Sequence, residues 1–195
     1  MTSDSKRRCT WAANDTLYLE YHDIEWGAPS YNDRHLFEML VLESMQSGLS
    51  WITILRKREA FRTAFKNFEI ESVARFTEKK IEKLLADPGI IRNRAKILAT
   101  IENAKAATKV LQKTDSLADF LWETVGGVPK QNSWKSGSEI PALTDESKAL
   151  AKRLKEHGFK FLGPTTCYAF MQAVGMVNDH LVECFRHEEL GRARR

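Results

Sequence analysis

Apolar residues recur at the helical period along almost the whole of this chain, and that periodicity leaves a helical bundle as the architecture its 195 residues can build. Asn32 or Asp33 can cap a helix that runs to about Ser47 and stops at Gly48. Its apolar set is Leu36, Phe37, Met39, Leu40, Val41, Leu42 and Met45. Ser50 can cap the next helix, which carries Trp51, Ile54, Leu55, Phe61 and Phe65. A short helix from Thr77 ends at the turn signal Asp87-Pro88-Gly89, and a long one follows from about Arg92 to Gln112. Asp115 or Ser116 starts another through Val125, stopped by Gly126-Gly127. Residues 128–142 are polar and irregular and read as a surface loop. Thr144 caps a helix ending at Gly158, Pro164 opens a nearly apolar helix to about Val174, and Asp179 to His187 forms the last. Five prolines and ten glycines are too few for the repeated tight turns of a β-sandwich, so the fold class is all-α.

Composition narrows the function classes. With 43% hydrophobic residues the chain can bury a core, which excludes a disordered or solvating role. No run of about 18 apolar residues is present, so no transmembrane helix is expected. The start, MTSDSKRRCTW, lacks the apolar stretch of a secretory signal, and three cysteines argue for a reducing compartment, read here as the cytoplasm. Residues 1–8 read as a disordered tail, 9–185 as one domain, and 186–195 as a basic tail. The net charge of +4 is modest, but basic residues cluster at Lys6–Arg8, Arg56–Arg58, Arg92–Lys96 and Arg192–Arg195. These clusters fit solvated helix faces or a polyanionic partner.

Glu43 is the informative acid. It lies three residues past Leu40 and seven past Leu36, on the apolar stripe of its helix, so it faces protein interior or a cleft. An ionised carboxylate there costs several kcal/mol unless it is paired or hydrogen-bonded. Either the N-terminus of the helix starting near Ser50 satisfies it, or it lines a pocket and faces a ligand or cation. Trp11, Tyr18, Tyr21, Trp26 and Trp51 all fall within the first 51 residues. They form an aromatic core, or a stacking pocket for a flat ligand, with cation–π attraction if that ligand is positive.

Two further constellations carry chemistry. His180 and Cys184 stand at i and i+4 near the end, and Cys9 and His22 near the start. Together they form a candidate Cys2His2 tetrahedral zinc site, structural because a closed set of four leaves no position for water. The alternative is that all four are packing residues. Cys167 reads as a core residue, and His35, His157 and His187 as solvated ones. The turn Asp87-Pro88-Gly89-Ile90-Ile91 joins two helices, and its amides with Arg92, Arg94 and Lys96 can hold a DNA phosphate. It also reads as an ordinary helix–helix connection.

Several motifs match a known family. They are Cys9-x-Trp11, Leu17-Tyr18, Tyr21-His22-Asp23-x-Glu25-Trp26-Gly27, Leu36-Phe37-Glu38 and Leu42-Glu43-Ser44-x-Gln46-x-Gly48-Leu49-Ser50-Trp51. Further on come Gly89-Ile90-Ile91-Arg92, Lys96-Ile97, Gly158-Phe159-Lys160-Phe161-Leu162-Gly163 and Asn178-Asp179-His180. From Cys9 to Cys184 the chain resembles the 3-methyladenine DNA glycosylase I (TAG) family of the helix-hairpin-helix superfamily. The resemblance implies a monofunctional hydrolase that flips 3-methyladenine out of alkylated double-stranded DNA and cleaves its N-glycosidic bond. It implies a helix-hairpin-helix element at about 77–112, and one structural zinc ion on Cys9, His22, His180 and Cys184 that joins the two ends of the domain. It implies Glu43 as the key acid, a pocket lined by Trp11, Tyr18, Tyr21, Trp26 and Trp51, no redox or organic cofactor, no membrane, and a monomer of bacterial type. Met45 stands where many members carry Gln, and faces either the DNA side or the core. The competing readings are a non-cleaving binder of alkylated DNA or free modified base, and a zinc-stapled interaction domain.

Overall fold

The computed structural model describes residues 6–12 and 15–192. In chain order its helices are α1 (Thr16–Ile24), α2 (Asp33–Gln46), α3 (Trp51–Ala64), α4 (Ile70–Ala74), α5 (Glu78–Ala86), α6 (Arg94–Leu111), α7 (Leu117–Trp122), α8 (Asp145–Glu156), α9 (Pro164–Ala173) and α10 (Phe185–Arg192). Two-residue strands β1 (Lys130–Gln131) and β2 (Val177–Asn178) pair in parallel, with Lys130 opposite Val177. The molecule is all-α in character, as the periodicity predicts.

α2 is its axis. Every residue from Leu36 to Met45 is buried, two glutamates and a serine included, so this helix has no solvent face over that length. Met45 therefore faces the core. The Asn32 side chain caps α2 by accepting the His35 N–H at 3.0 Å. α9, α3, α6 and α7 pack around it. Asp33 reaches from the first turn of α2 to accept the N–H groups of Leu117 and Ala118 at 3.0 and 2.9 Å, which caps α7 and fixes its approach. α8 begins at a Thr144–Ser147 capping box and lies on α9, which starts with its proline at the first helical position.

Several elements differ from the sequence reading. α1 has no counterpart there, because its inward residues are Tyr21 and His22 rather than aliphatic side chains. Ser50 precedes α3 but makes no cap bond. Its hydroxyl pairs with Thr53, and the Ile52 N–H donates to the Tyr18 hydroxyl at 3.1 Å instead. His180 and Cys184 do not share a helix: residues 179–184 are irregular and α10 begins at Phe185. The amides that would open the expected helix are spent elsewhere. His180 N–H donates to Asn178 Oδ1, Leu181 N–H to Cys9 Sγ, and Val182 N–H to the Trp134 carbonyl. The loop 128–142 is also less free than expected, since it holds β1 and a short 3₁₀ turn at Gly137–Glu139.

The tails are also more ordered than expected. Residues 1–5 lie outside the described residues, but Arg8 clasps Asp23 at 2.7 Å and the Arg7 carbonyl accepts the Phe185 N–H at 3.0 Å. Residues 186–192 are helical, and 193–195 lie outside the described residues. His35 and His187 are not solvated. His35 bridges Ser30 and Glu25, and His187 meets the Asn132 carbonyl at 2.8 Å. Cys167 is a core residue, as read from the sequence.

Gly175 follows α9 with φ +71°, and a Cβ there would stand 2.4 Å from the Ala28 carbonyl carbon and 2.5 Å from Pro29 N. Gly126 has the same φ but nothing within 4 Å. Gly126→Ala should therefore cost about 1 kcal/mol through backbone strain alone. Gly175→Ala adds a backbone clash and should cost more than about 3 kcal/mol, read as the difference in urea midpoints.

Candidate functional site

A cleft of about 570 Å³ opens beside α2. Glu43 lies on its wall with 5% of its surface exposed, and Trp11, Tyr18, Tyr21, Trp26 and Trp51 line it with Glu43. The six residues singled out from the sequence thus face one space. Trp11 is the most exposed, at 37%, and packs edge-on against Tyr18 and Trp26 with centroids 5.5 and 5.0 Å apart. Tyr21 tilts against Trp51 at 5.6 Å. The indole N–H of Trp51 is buried without an acceptor in hydrogen-bond geometry.

Glu43 is not satisfied by the α3 N-terminus. The α3 amide of Ile52 goes to Tyr18, and no hydrogen bond reaches the Glu43 carboxyl among the described residues. Burial alone pushes it up to about 8. Burial, followed by the proximity of Glu43, raises the Tyr21 phenol well above its ordinary range.

The walls are held from behind. Arg58 on α3 grips Glu25 with both terminal nitrogens at 2.6 and 2.7 Å and Glu38 through Nε at 2.7 Å, and Arg62 shares Glu38 at 2.8 Å. Burial would raise the Glu25 carboxyl, but hydrogen bonds from His35 and Arg58 hold it down to about 2. This ionic cluster lies close enough to Tyr21 to act on its phenol. Lys96 was expected to add surface charge at the α5–α6 turn. It is buried instead, with Nζ donating to the carbonyls of Met45 and Ser47 at 2.9 and 2.7 Å. Those carbonyls flank Gln46, another cleft residue, so Lys96 both satisfies the end of α2 and fixes the backbone of Gln46.

The turn itself also departs from expectation. Asp87 Oδ1 takes the Gly89 N–H at 2.7 Å, Lys57 Nζ holds the Pro88 carbonyl at 2.7 Å, and Arg94 pairs with Glu82 at 2.6 Å and with Glu78. Of the three basic residues read as phosphate-facing, Arg92 is exposed, Arg94 is ion-paired and Lys96 points inward.

The ends of the chain meet in a second cluster. The ligand atoms of Cys9, His22, His180 and Cys184 lie within 4.8 Å of one another, all four residues being buried, and can hold a metal ion. Cys184 Sγ is 3.4 Å from both His22 Nε2 and His180 Nδ1, and Cys9 Sγ is 3.7 Å from His180 Nδ1. A tetrahedral ion with sulfur at about 2.3 Å and nitrogen at about 2.0–2.1 Å has S···N edges of about 3.5 Å, which these distances fit. The imidazoles are set for the task. His22 Nδ1 faces Asp23 at 2.8 Å and His180 Nε2 donates to the Trp26 carbonyl at 2.9 Å, leaving His22 Nε2 and His180 Nδ1 as the lone pairs turned inward. Gly27 (φ +77°) lets the backbone pass there, since a Cβ would stand 2.9 Å from His180 Nε2. The two thiols act on each other, the pair raising Cys9 and lowering Cys184.

Gln46, Tyr168 and Gln172 also line the cleft, with residues 140–142 of the long loop, and were missed in the sequence. The available signal was polar residues at helical spacing on buried faces: Gln46 three past Glu43, and Gln172 four past Tyr168 on α9.

A helical fold with a buried acid in a ring-lined slot defines a site for a flat, electron-poor ligand. Comparison with known proteins makes the class specific. The methyladenine glycosylase family model matches residues 11–187, and the chain belongs to that family. It is 49% identical over 177 residues to DNA-3-methyladenine glycosylase 1 of Escherichia coli (strain K12), covering 91% of this chain and 95% of that protein. To the DNA-3-methyladenine glycosylase of Haemophilus influenzae it is 44% identical over 177 residues, covering 91% and 96%. A crystal structure of 3-methyladenine DNA glycosylase I (TAG) matches with a TM-score of 0.90 at 50% identity, covering 92% of this chain and 98% of that one. A Staphylococcus aureus TAG structure, described as the structural basis of 3-methyladenine recognition, matches at 0.89 and 40% identity, covering 93% and 97%.

The position of Glu43 has a consequence for stability. Its folded pKa lies above the ordinary 4.5, so between pH 4.5 and about 8 the folded state binds the proton more tightly than the unfolded chain does. Stability therefore falls as pH rises through that window and changes no further beyond it. Glu43→Gln should match the wild type near pH 4 and exceed it by on the order of a few kcal/mol at pH 8.5, in denaturant titrations at both pH values.

Proposed function

We infer that this protein is a DNA repair glycosylase that excises 3-methyladenine from alkylated DNA, leaving an abasic site. The observation that carries the reading is the unpartnered, buried Glu43 in the aromatic cleft. Methylation at N3 makes the base cationic while it is attached to deoxyribose, and so a good leaving group. When the bond from the sugar C1′ to the base breaks, its electron pair neutralises the departing ring. Water then adds its oxygen to C1′ and gives up a proton to solvent.

The chain's own contribution is selection and charge stabilisation. Burial disfavours the charged carboxylate, so at neutral pH Glu43 is mostly protonated. An entering cation reverses that preference, and Glu43 releases its proton and faces the positive ring. Unmodified adenine brings no charge and gains nothing from this exchange. Trp11, Tyr18, Tyr21, Trp26 and Trp51 supply stacking faces on which a flipped base rests. Glu43 acts on the reacting base, and no side chain is assigned as general base.

For the duplex, α5, its turn and α6 serve as the helix-hairpin-helix element. Because Gly89 N–H is committed to Asp87 and Lys96 N–H to Asn93, the reading assigns the phosphate to the remaining first-turn amides of α6 and to Arg92. For the metal, the Cys2His2 donor set and its S···N spacing suit one zinc ion, which ties the N-terminal segment to the residues before α10 and keeps no open position for chemistry. A monomer acting on double-stranded DNA in the cytoplasm, with residues 9–185 as one domain, completes the reading.

Rate, binding, metal and melting measurements test these assignments. Glu43→Ala and Glu43→Gln should lose at least about a hundredfold of the rate of base release from methylated DNA, with the protein still folded. Wild-type kcat/KM should climb with pH through a midpoint near 8 and level off above it, and the residual rate of Glu43→Gln should be flat. Binding to methylated DNA without release of base would favour the non-cleaving alternative. For the metal, elemental analysis should find one zinc per chain, and Cys184→Ser should lower the melting temperature more than it lowers activity per folded molecule.

A further inference from the structure

We propose that Gln172 is a base-binding residue, and that Asp179 is the positioning residue that decides which end of its amide faces the cleft. The inference rests on the glycosylase reading and specifies how that site selects its base. Asp179 is fully buried and its carboxylate takes four hydrogen bonds. Asn132 Nδ2 and Trp134 Nε1 donate to Oδ1 at 2.6 and 2.8 Å, and the Tyr168 hydroxyl and Gln172 Nε2 donate to Oδ2 at 2.6 and 2.8 Å. A carboxylate only accepts, so the Gln172 amide must turn its NH₂ toward Asp179. That leaves Oε1 as the amide's other end. It takes no hydrogen bond among the described residues and is not sealed inside protein, while Gln172 itself lines the cleft.

The geometry also spans the site. Tyr168 and Gln172 stand one turn apart on α9, and both line the cleft. Asn132 and Trp134 belong to the loop whose residues 140–142 line it too. One carboxylate therefore fixes a wall and an amide together. With Glu43 on α2, Gln172 gives the cleft acceptors from two separate helices. A ring edge bearing an exocyclic amine can donate to such acceptors. A 6-oxo edge would set oxygen against oxygen, so Gln172 favours an aminopurine over its oxo counterpart.

The test is the affinity of the zinc-loaded, full-length protein for free 3-methyladenine and for 3-methylhypoxanthine, read by quenching of cleft tryptophan fluorescence. Gln172→Leu should weaken 3-methyladenine binding about tenfold, the loss expected for one hydrogen bond. Asp179→Asn supplies an NH₂ that can face Oε1 and turn the amide round. It should weaken 3-methyladenine binding comparably and narrow the preference over 3-methylhypoxanthine, with zinc content unchanged. The double variant should be no weaker than the weaker single one, because both act through one contact. Wild-type affinity in Gln172→Leu, additive losses in the double variant, or an unchanged amino-over-oxo preference would overturn the proposal. If Asp179→Asn does not fold, Gln172→Leu with both bases decides alone. A wild-type protein that neither binds nor excises 3-methyladenine would overturn the glycosylase reading as well, whereas wild-type binding with indifferent variants overturns this inference only.

Discussion

An ionisable carboxyl with no partner, set in a helix with no solvent face, is the constraint around which this molecule is arranged. α2 can be central only if what it buries is apolar, paired or neutral: Arg58 and Arg62 pair Glu38, and Glu43 keeps its proton. The same burial that raises its pKa strengthens its interaction with any cation, because charge is screened less away from bulk water. That carboxyl costs stability: the protein tolerates an acid where Gln would sit more comfortably.

The surroundings keep that acid from finding an easier arrangement. Arg58 satisfies Glu25 and Glu38 together, so the charges behind the Tyr21 wall have no need of Glu43. Tyr18 takes the α3 amide that could have reached toward it. Lys96 neutralises the carbonyl end of α2 beside Gln46. Polar groups near the cleft are mostly committed to one another; among those that are not, the carboxyl of Glu43, Oε1 of Gln172 and the indole N–H of Trp51 belong to residues that line it.

The helical bundle, the acid and the five aromatic residues were legible in residue type and period, while the four cysteines and histidines were brought together by the family resemblance. Glu43 broke an apolar stripe, and a carboxylate there needs a reason. What stayed hidden depends on contacts between residues distant in the chain. Lys96 reads as surface charge until α6 is laid against the end of α2. Asp179 and His180 look helical until their neighbouring amides are seen to be claimed by Asn178, Cys9 and Trp134. Tyr168 and Gln172 share a face of α9 by their spacing, but which end of the Gln172 amide is used depends on Asp179 and is not written in that spacing. α1 escaped because tyrosine and histidine, rather than leucine, form its inward face.

The cleft takes one wall from residues before position 52 and the other from residues 137–172, and the cysteine–histidine cluster that joins them needs Cys184. On a ribosome the acid and its rings are therefore made first and wait, without an opposite wall, for most of the polypeptide to emerge. A nascent or prematurely terminated chain presents Glu43 to water as an ordinary carboxylate, with neither the raised pKa nor the discrimination that follows from it. The cleft that buries Glu43 is thus completed only by residues made late in synthesis.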